Sequence, residues 1–228
     1  MRITTLVIFF ALATVCWAQA PAQTPSISAV GSATVSVTPD VARLDVGVVT
    51  QATTAQDATL QNAMQASAVI AALQSIVGSS NNIKTISYFL SPVYNNPPPG
   101  QSAAIIGYMV TNTVEATVTD LTQVGKLIDT AIQSGANRVQ GISFDLQDRN
   151  PIISQALKSA AARARTQADA IASGLNVHTG SVLHASQGVN TATPVFGGGA
   201  AAGNPATPVE TGLVVVQASV SLEIAITQ

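Results

Sequence analysis

Three charged residues cluster at a predicted corner of the chain. Asp145, Asp148 and Arg149 follow a strand pattern and precede a helix pattern. Such a cluster can bind a small polar ligand, and two carboxylates can also act as general acid and general base. A solvated surface corner accounts for the same residues without a ligand. The sequence therefore offers these three residues as a candidate ligand or contact corner, and it leaves a catalytic pair without support.

Other residue types that take part in catalysis or metal binding occur in ordinary patterns. Ser87 and Ser143 lie in strand patterns, and the Gly-x-Ser-x-Gly motif of a nucleophile elbow does not occur. His178 and His184 are the only histidines, and two ligands are too few for a zinc site. Residues 197–203 (GGGAAAG) lack the Lys-Ser/Thr of a phosphate-binding loop. We predict no catalytic residue, no cofactor and no metal ion.

The remaining carboxylates fit structural positions. Asp57 and Asp120 stand where helices are predicted to begin, and Asp40 stands in a turn. Glu115 and Glu223 fall on the outward positions of alternating strands. None of these positions requires a chemical function.

The first twenty residues have the parts of a secretory signal peptide. Arg2 provides a positive charge, residues 3–15 form an apolar run too short to span a bilayer comfortably, and an Ala-Gln-Ala sequence ends at Ala20. We predict cleavage after Ala20, which places residues 21–228 in the periplasm or cell envelope. A lipoprotein signal modified at Cys16 is the alternative, but the valine before that cysteine fits it poorly.

Charged residues are unusually rare in this chain. They make up 9% of the sequence, against roughly 25% in typical soluble proteins. With only 9 Lys and Arg, the chain has no electrostatic basis for binding nucleic acid. A surface with so few charges suits contacts between copies, so we predict a homo-oligomer. The Gly- and Pro-rich segments 95–104 and 190–210 are predicted flexible loops, which allow contact with the envelope or a membrane surface.

Hydrophobic periodicity predicts an α+β fold. About seven strands, mostly antiparallel, alternate with three amphipathic helices over residues 54–77, 121–134 and 150–173. The first two strands, on either side of Pro39, are predicted to form a hairpin. Thr54 and Asp120 are predicted to cap the first two helices, and Asn150 the third. Gly78, Gly135 and Gly174 are predicted to end the helices.

The apolar face of each long helix is predicted from residues spaced three and four apart. In the first helix these are Ala63, Ala66, Ile70, Leu73 and Val77, and in the third they are Ile153, Leu157, Ala160, Ala164, Ala168, Ile171 and Leu175. The face of the third helix is mostly alanine, so the surface beneath it must come close.

One segment of the chain is repeated. NNIKTISYFL, residues 81–90, returns 56 positions later as NRVQGISFDL, residues 137–146. Each copy follows a strand and a capped helix. The repeat therefore predicts two strand-helix-strand units.

The order and spacing of these features resemble a known family. The stretch GYMVTNTVEATVTDLTQVGKLIDTAIQSGANRVQGISFDLQD (107–148), the alanine-rich helix at 156–168 and the opening ISAVGSATVSVTPDVARLDVGV are similar to SIMPL-domain proteins. The resemblance covers nearly all of residues 21–228. It departs from the family in the two Pro- and Gly-rich loops.

This resemblance implies a cellular location but no specific chemical activity. Bacterial members are periplasmic or envelope proteins, one of them a periplasmic immunogen. Some members form ring- or channel-shaped oligomers, and others are linked to oxidative or DNA-damage stress. The kinase-binding mammalian member that gave the family its name is no guide to an exported chain. No catalytic residues are established for the family, so none carry over.

The sequence thus leads to one expected function and one alternative. We expect a non-enzymatic periplasmic or envelope protein that self-assembles, with a link to stress responses implied by the resemblance. The alternative is a small-ligand binder or an enzyme whose site lies near the corner at residues 145–149.

Overall fold

The protein folds as two antiparallel sheets with helices packed on them, which confirms the α+β prediction. The computed structural model describes residues 24–195 and 209–228, so the predicted signal peptide lies outside the described residues. The elements, in chain order, are β1 (Ser26–Val37), β2 (Val41–Ala52), α1 (Ala55–Val77), β3 (Ile83–Tyr94), β4 (Ile105–Val118), α2 (Val124–Gln133), β5 (Arg138–Asp145), α3 (Asn150–Gly174), β6 (His178–Val195) and β7 (Leu213–Thr227).

The repeated segments lie at opposite edges of one four-stranded sheet. Its strand order is β3-β4-β2-β5, and every neighbouring pair is antiparallel. The two strand-helix-strand units, β2-α1-β3 and β4-α2-β5, therefore interleave as a doubled split βαβ arrangement. Both helices pack beside the same core, which includes Leu44, Leu73, Leu127 and Phe144. The predicted pair of units is confirmed.

The capping signals of α1 act as the sequence predicts. The Thr54 side chain accepts a hydrogen bond from the Asp57 N–H at 3.1 Å, and Gly78 takes a left-handed conformation with φ of 72°. The buried face of the helix, however, is rotated from the predicted one. Ala63 is exposed and Asn62 is fully buried, because the Asn62 amide donates to the Val48 carbonyl at 2.8 Å.

A short 3-10 turn delays the start of α2. Asp120 accepts hydrogen bonds from the Thr122 N–H at 3.1 Å and from the Gln123 side chain at 2.9 Å. These bonds cap residues Leu121–Gln123, which form the 3-10 turn, and the α-helix begins only at Val124. Gly135 after the helix has φ of 114°, as expected for a residue that ends a helix.

The predicted hairpin of the first two strands is wrong. β1 pairs with β7 over twelve residue pairs, in a three-stranded sheet of order β1-β7-β6. The chain changes sheets at residues 38–40. The Asp40 N–H donates to the Asp145 carbonyl at 3.0 Å, and Asp40 Oδ1 accepts from the Gln147 N–H at 2.7 Å. This anchor directs β2 into the four-stranded sheet, while β7 supplies the partner of β1.

The helix α3 packs on the three-stranded sheet through a central row of alanines, flanked by the partly buried Ile152, Ile153 and Leu157. Its buried residues are Ala156, Ala160, Ala164, Ala168 and Ala172. A Cβ placed on Gly31 of β1 would collide with the Ala160 carbonyl oxygen and the Ala164 backbone nitrogen. Helix and strand backbones therefore touch, which confirms the predicted close approach.

Both ends of α3 differ from the prediction. Ile171 and Leu175 are 38% and 62% exposed, because a contact this tight leaves no room for large side chains. The helix also runs through Gly174, and the left-handed residue is Asn176, with φ of 54°. At the start, Asn150 already lies within the helix, and its N–H donates to Asp148 Oδ1 at 2.9 Å.

The two predicted loops have different outcomes. Residues 190–195 belong to β6, so the predicted loop at 190–210 starts too early, and residues 196–208 lie outside the described residues. Residues 95–104 connect β3 to β4. At the base of this connection the Asn95 N–H donates to the Ala104 carbonyl at 2.9 Å, and the Ala104 N–H donates to Asn95 Oδ1 at 2.6 Å. Flexibility of either loop stays a prediction.

Replacing Gly31 by alanine should destabilise the protein strongly. The new methyl group would meet helix backbone that cannot yield, so we expect a loss of about 3 kcal/mol or more in unfolding free energy. Urea denaturation followed by circular dichroism measures the loss. Gly141→Ala in β5 is the matched control, since a Cβ there meets nothing within 4 Å. Equal midpoints for the two variants would refute the backbone contact.

Candidate functional site

The predicted corner is a junction between the sheets. The Asp145 carboxylate, at the end of β5, accepts hydrogen bonds from Arg149 Nε at 2.7 Å, from the Leu146 N–H at 2.7 Å and from Arg43 Nη1 at 3.0 Å. Arg43 belongs to β2, and Arg149 precedes α3. One carboxylate therefore links two strands of one sheet to the helix that covers the other sheet.

Hydrogen bonding sets the charge state of this junction. Burial raises the pKa of Asp145, but the hydrogen bonds from Arg149, Leu146 and Arg43 outweigh it and lower the pKa to about 2. The hydrogen bond that Arg149 donates to Asp145 also raises the pKa of Arg149. The carboxylate is thus ionised and already well supplied with donors, a poor starting point for a general acid or base near neutral pH.

Asp148 has a separate role in the corner. Its Oδ1 accepts from the Asn150 N–H, so it satisfies a backbone donor in the first turn of α3. The structure therefore brings Asp145 and Arg149 into direct contact and gives Asp148 a helix-capping contact. This geometry suits a structural joint, and the exposed parts of the two arginines give it a polar surface.

A second charged group lies on the face of the four-stranded sheet opposite the helices. Asp45 of β2 stands directly across from Glu115 of β4, and Glu115 forms an ion pair with Lys84 of β3 at 2.8 Å. Burial, then the Glu115 charge, raises the pKa of Asp45, while Lys84 lowers it. Asp45 Oδ1 is buried and has no hydrogen-bond partner among the described residues. Two like charges face each other across the strands, an arrangement that is usually unfavourable.

Polar side chains are also buried between α1 and the same sheet. Asn62 donates to the carbonyls of Val48 and Val110, at 2.8 and 3.4 Å, and Thr50 donates to the Ala58 carbonyl at 2.8 Å. The side-chain oxygens of Asn62 and Asn112 are buried without a partner in the described part of the chain. These contacts fix the position of α1 over β2 and β4.

A third polar group lines a cleft of about 430 Å³ at the C-terminal end of α3. The Thr179 hydroxyl donates to Asp169 Oδ1 at 2.7 Å, and Arg165 Nε lies 3.2 Å from the same oxygen. His178 also lines the cleft. Arg165 and Asp169 are 42% and 49% exposed, so water screens their attraction strongly.

The serines considered earlier do not form one site. Ser87 is on β3 and Ser143 is on β5, at opposite edges of the sheet, so about 14 Å of strand spacing separates them. His178 and His184 lie on β6 with two irregularities in strand pairing between them, and His184 stands across from Glu223. Within residues 24–195 and 209–228, no three His, Cys, Asp or Glu side chains are grouped to hold a metal ion.

Sequence reasoning missed the two polar groups on the four-stranded sheet. Strand alternation placed Glu115 on an outward face, but the partner of Glu115 depends on the β2–β4 register, which no local pattern reveals. Asn62 lies among the apolar residues that α1 buries. Apart from this position, nothing in the sequence indicates that it is buried.

The architecture is that of a small α+β protein in which two antiparallel sheets are packed against helices. The model of the SIMPL family, described as "Protein of unknown function (DUF541)", matches residues 27–224, and the chain belongs to this family.

Two kinds of relative have curated names. The chain is 29% identical over 174 residues to the "26 kDa periplasmic immunogenic protein" of Brucella melitensis, covering 74% of this chain and 69% of that protein. It is 28% identical over 158 residues to "Uncharacterized protein YggE" of Escherichia coli, covering 69% of this chain and 63% of that protein. No helix in the described ranges has both the length and the apolar character needed to cross a bilayer.

The Asp145 junction predicts a specific dependence of stability on pH. Because its pKa is about 2 in the folded state and ordinarily 3.8, the junction stabilises fully above pH 3.8 and loses its effect as the pH falls through about 2. Asp145→Asn should cost about 2 kcal/mol at neutral pH and flatten the loss of stability in this acid range. Urea denaturation at several pH values measures both effects. Asp148→Asn keeps an acceptor for the helix and should change little; equal losses in the two variants would contradict the assignment.

Proposed function

We propose that this protein is a non-enzymatic component of the cell envelope that assembles with copies of itself through the edge of β6. The observation that carries the proposal is this strand. It is 18 residues long, lies at the edge of the three-stranded sheet and contains no Asp, Glu, Lys or Arg. Unpaired backbone donors and acceptors along such an edge can add a strand from another chain.

The other three sheet edges are protected. At β1, the Arg163 side chain of α3 donates to the Ser32 carbonyl at 2.7 Å. The edge of β3 contains Pro92 and two irregularities in pairing, and β5 is only eight residues long and begins with Arg138. Proline, bulges, short length and basic side chains all hinder strand addition.

β6 also has three irregularities in pairing, Pro194 and a contact from Arg165 to the Gly180 carbonyl, but all of these lie outside residues 184–192. In β3, Pro92 lies within the regular stretch of pairing. This difference favours residues 184–192 of β6 as the interface.

The side chains of β6 suit the same role. Residues 181–188 are all exposed, and Val182 and Leu183 remain 47% and 45% exposed. Pairing with β7 is regular from His184 to Ala192, so the backbone of this edge strand has no bulge over nine residues. A second copy could extend this sheet without having to desolvate a Lys, Arg, Asp or Glu side chain of β6.

Support for an envelope location comes from outside the described residues and from a relative. The first twenty residues have the pattern of an exported protein. The Brucella relative is named a periplasmic protein. A link to stress responses, which the family resemblance implies, rests on no residue of this chain and stays a prediction.

The alternative is binding of a small ligand at the corner formed by Asp145, Asp148 and Arg149. Arg43 and Arg149 favour it, because their side chains remain 35% and 39% exposed and each guanidinium has five N–H donors. A ligand there must compete with Asp145 for these groups. An anion therefore fits the corner better than a cation.

Assembly through β6 predicts a discrete oligomer of residues 21–228 at micromolar concentration. Size exclusion coupled to light scattering measures its mass. Ser186→Lys/Gln187→Lys should shift the protein to monomer, because lysines on an edge strand oppose pairing.

Ser67→Lys/Ala71→Lys, on the exposed side of α1, adds the same charge away from β6 and should leave the oligomer intact. A monomeric parent protein would overturn self-assembly. An oligomer that resists the β6 lysines would overturn this choice of edge.

A further inference from the structure

The hairpin of β3 and β4 presents an apolar surface without charge. We name residues 85–114 the arm. The arm contains no Asp, Glu, Lys, Arg or His, and it holds all three tyrosines of the chain. Its large exposed side chains are Ile86 43%, Tyr88 52%, Phe89 62%, Leu90 38%, Tyr94 54%, Ile105 50% and Ile106 56% exposed. This much exposed apolar surface normally marks a binding site.

Apolar side chains point from both faces of the arm. Leu90 stands across from Val110, which is fully buried on the side of α1, whereas Phe89 stands across from Thr111 on the opposite face. A protein partner that packs on one face would leave the other in water. A medium that surrounds the arm would cover both.

The edge of the arm disfavours a second copy as its partner. Pro92 lacks an N–H, and the pairing of β3 is irregular between Thr85 and Ser87 and between Val93 and Tyr94. These features hinder strand addition along β3. The exposed side chains of the arm therefore serve a contact different from the β6 edge.

The absence of charge on the arm indicates which kind of surface it can bind. The residues that flank the arm, Lys84 and Glu115, form an ion pair with each other at 2.8 Å, so the base of the arm is neutral as well. A neutral arm has no attraction for anionic lipid or for a charged protein face. Tyrosine, in contrast, is enriched where a membrane meets water, because its ring is apolar and its hydroxyl remains hydrated.

We propose that the arm lies in the interfacial layer of a lipid membrane and binds neutral phospholipid by apolar burial. It lies at headgroup depth, because the outer edge of β3 carries backbone groups that need water. The arm attaches the protein to a membrane without crossing it. This attachment is independent of assembly through β6.

Co-sedimentation of residues 21–228 with phosphatidylcholine vesicles tests the proposal. We expect binding that neither added salt nor added phosphatidylglycerol changes. Tyr88→Ser/Phe89→Ser should weaken binding about tenfold or more, from the loss of two buried rings. Ile105→Ser/Ile106→Ser, on β4, should weaken it too, and unchanged thermal unfolding shows that both variants are folded.

Leu60→Ser/Met64→Ser is the matched control, because these side chains are each 59% exposed on α1, outside the arm. It should bind as the parent protein does. The proposal is overturned by absence of binding to phosphatidylcholine, by binding that requires anionic lipid, or by arm variants that bind normally. It is also overturned if the arm variants change the mass of the oligomer instead of vesicle binding, since the arm would then be an interface between copies.

Discussion

The contact between the backbones of α3 and β1 determines how the three-stranded sheet is covered. Five buried alanines and Gly31 let the helix approach until main chain meets main chain. At this distance the helix covers β1 and β7 closely and touches β6 only marginally. Among the described residues, β6 is therefore the strand of this sheet that α3 covers least. The same small residues that stabilise the sheet therefore expose the strand on which the assembly proposal rests.

The two sheets depend on each other through the junction at Asp145. The chain enters the four-stranded sheet beside this residue at Asp40 and leaves it there toward α3. Arg43, Arg149 and the Leu146 N–H donate hydrogen bonds to the carboxylate, so this corner, which is also the candidate ligand site, holds the two layers in place. The contact surfaces that we propose lie at the rims of the sheets, at β6 and on the β3–β4 arm.

Local features of this fold could be predicted from sequence, and long-range pairings could not. Thr54 and Asp120 cap their helices through side-chain bonds to residues two or three positions further on, and Gly78 and Gly135 end helices through a positive φ. These roles can be read from a few neighbouring residues. The alanine face of α3 likewise predicted a close contact between the helix and the sheet beneath it. The pairing of β1 with β7 joins the two ends of the chain, however, and the Asp45–Glu115 pair depends on register between strands. The burial of Asn62 was missed because its partners are backbone carbonyls of β2 and β4.

Hydrogen exchange on residues 21–228, below and above the concentration at which the protein assembles, tests the central claim that β6 is the open edge. The account predicts that amides within residues 184–192 gain protection as the oligomer forms, because those that face outward acquire a partner strand. Amides of β3 should exchange at the same rate in both states. Assembly that leaves residues 184–192 unchanged, or that protects β3 instead, would contradict the account.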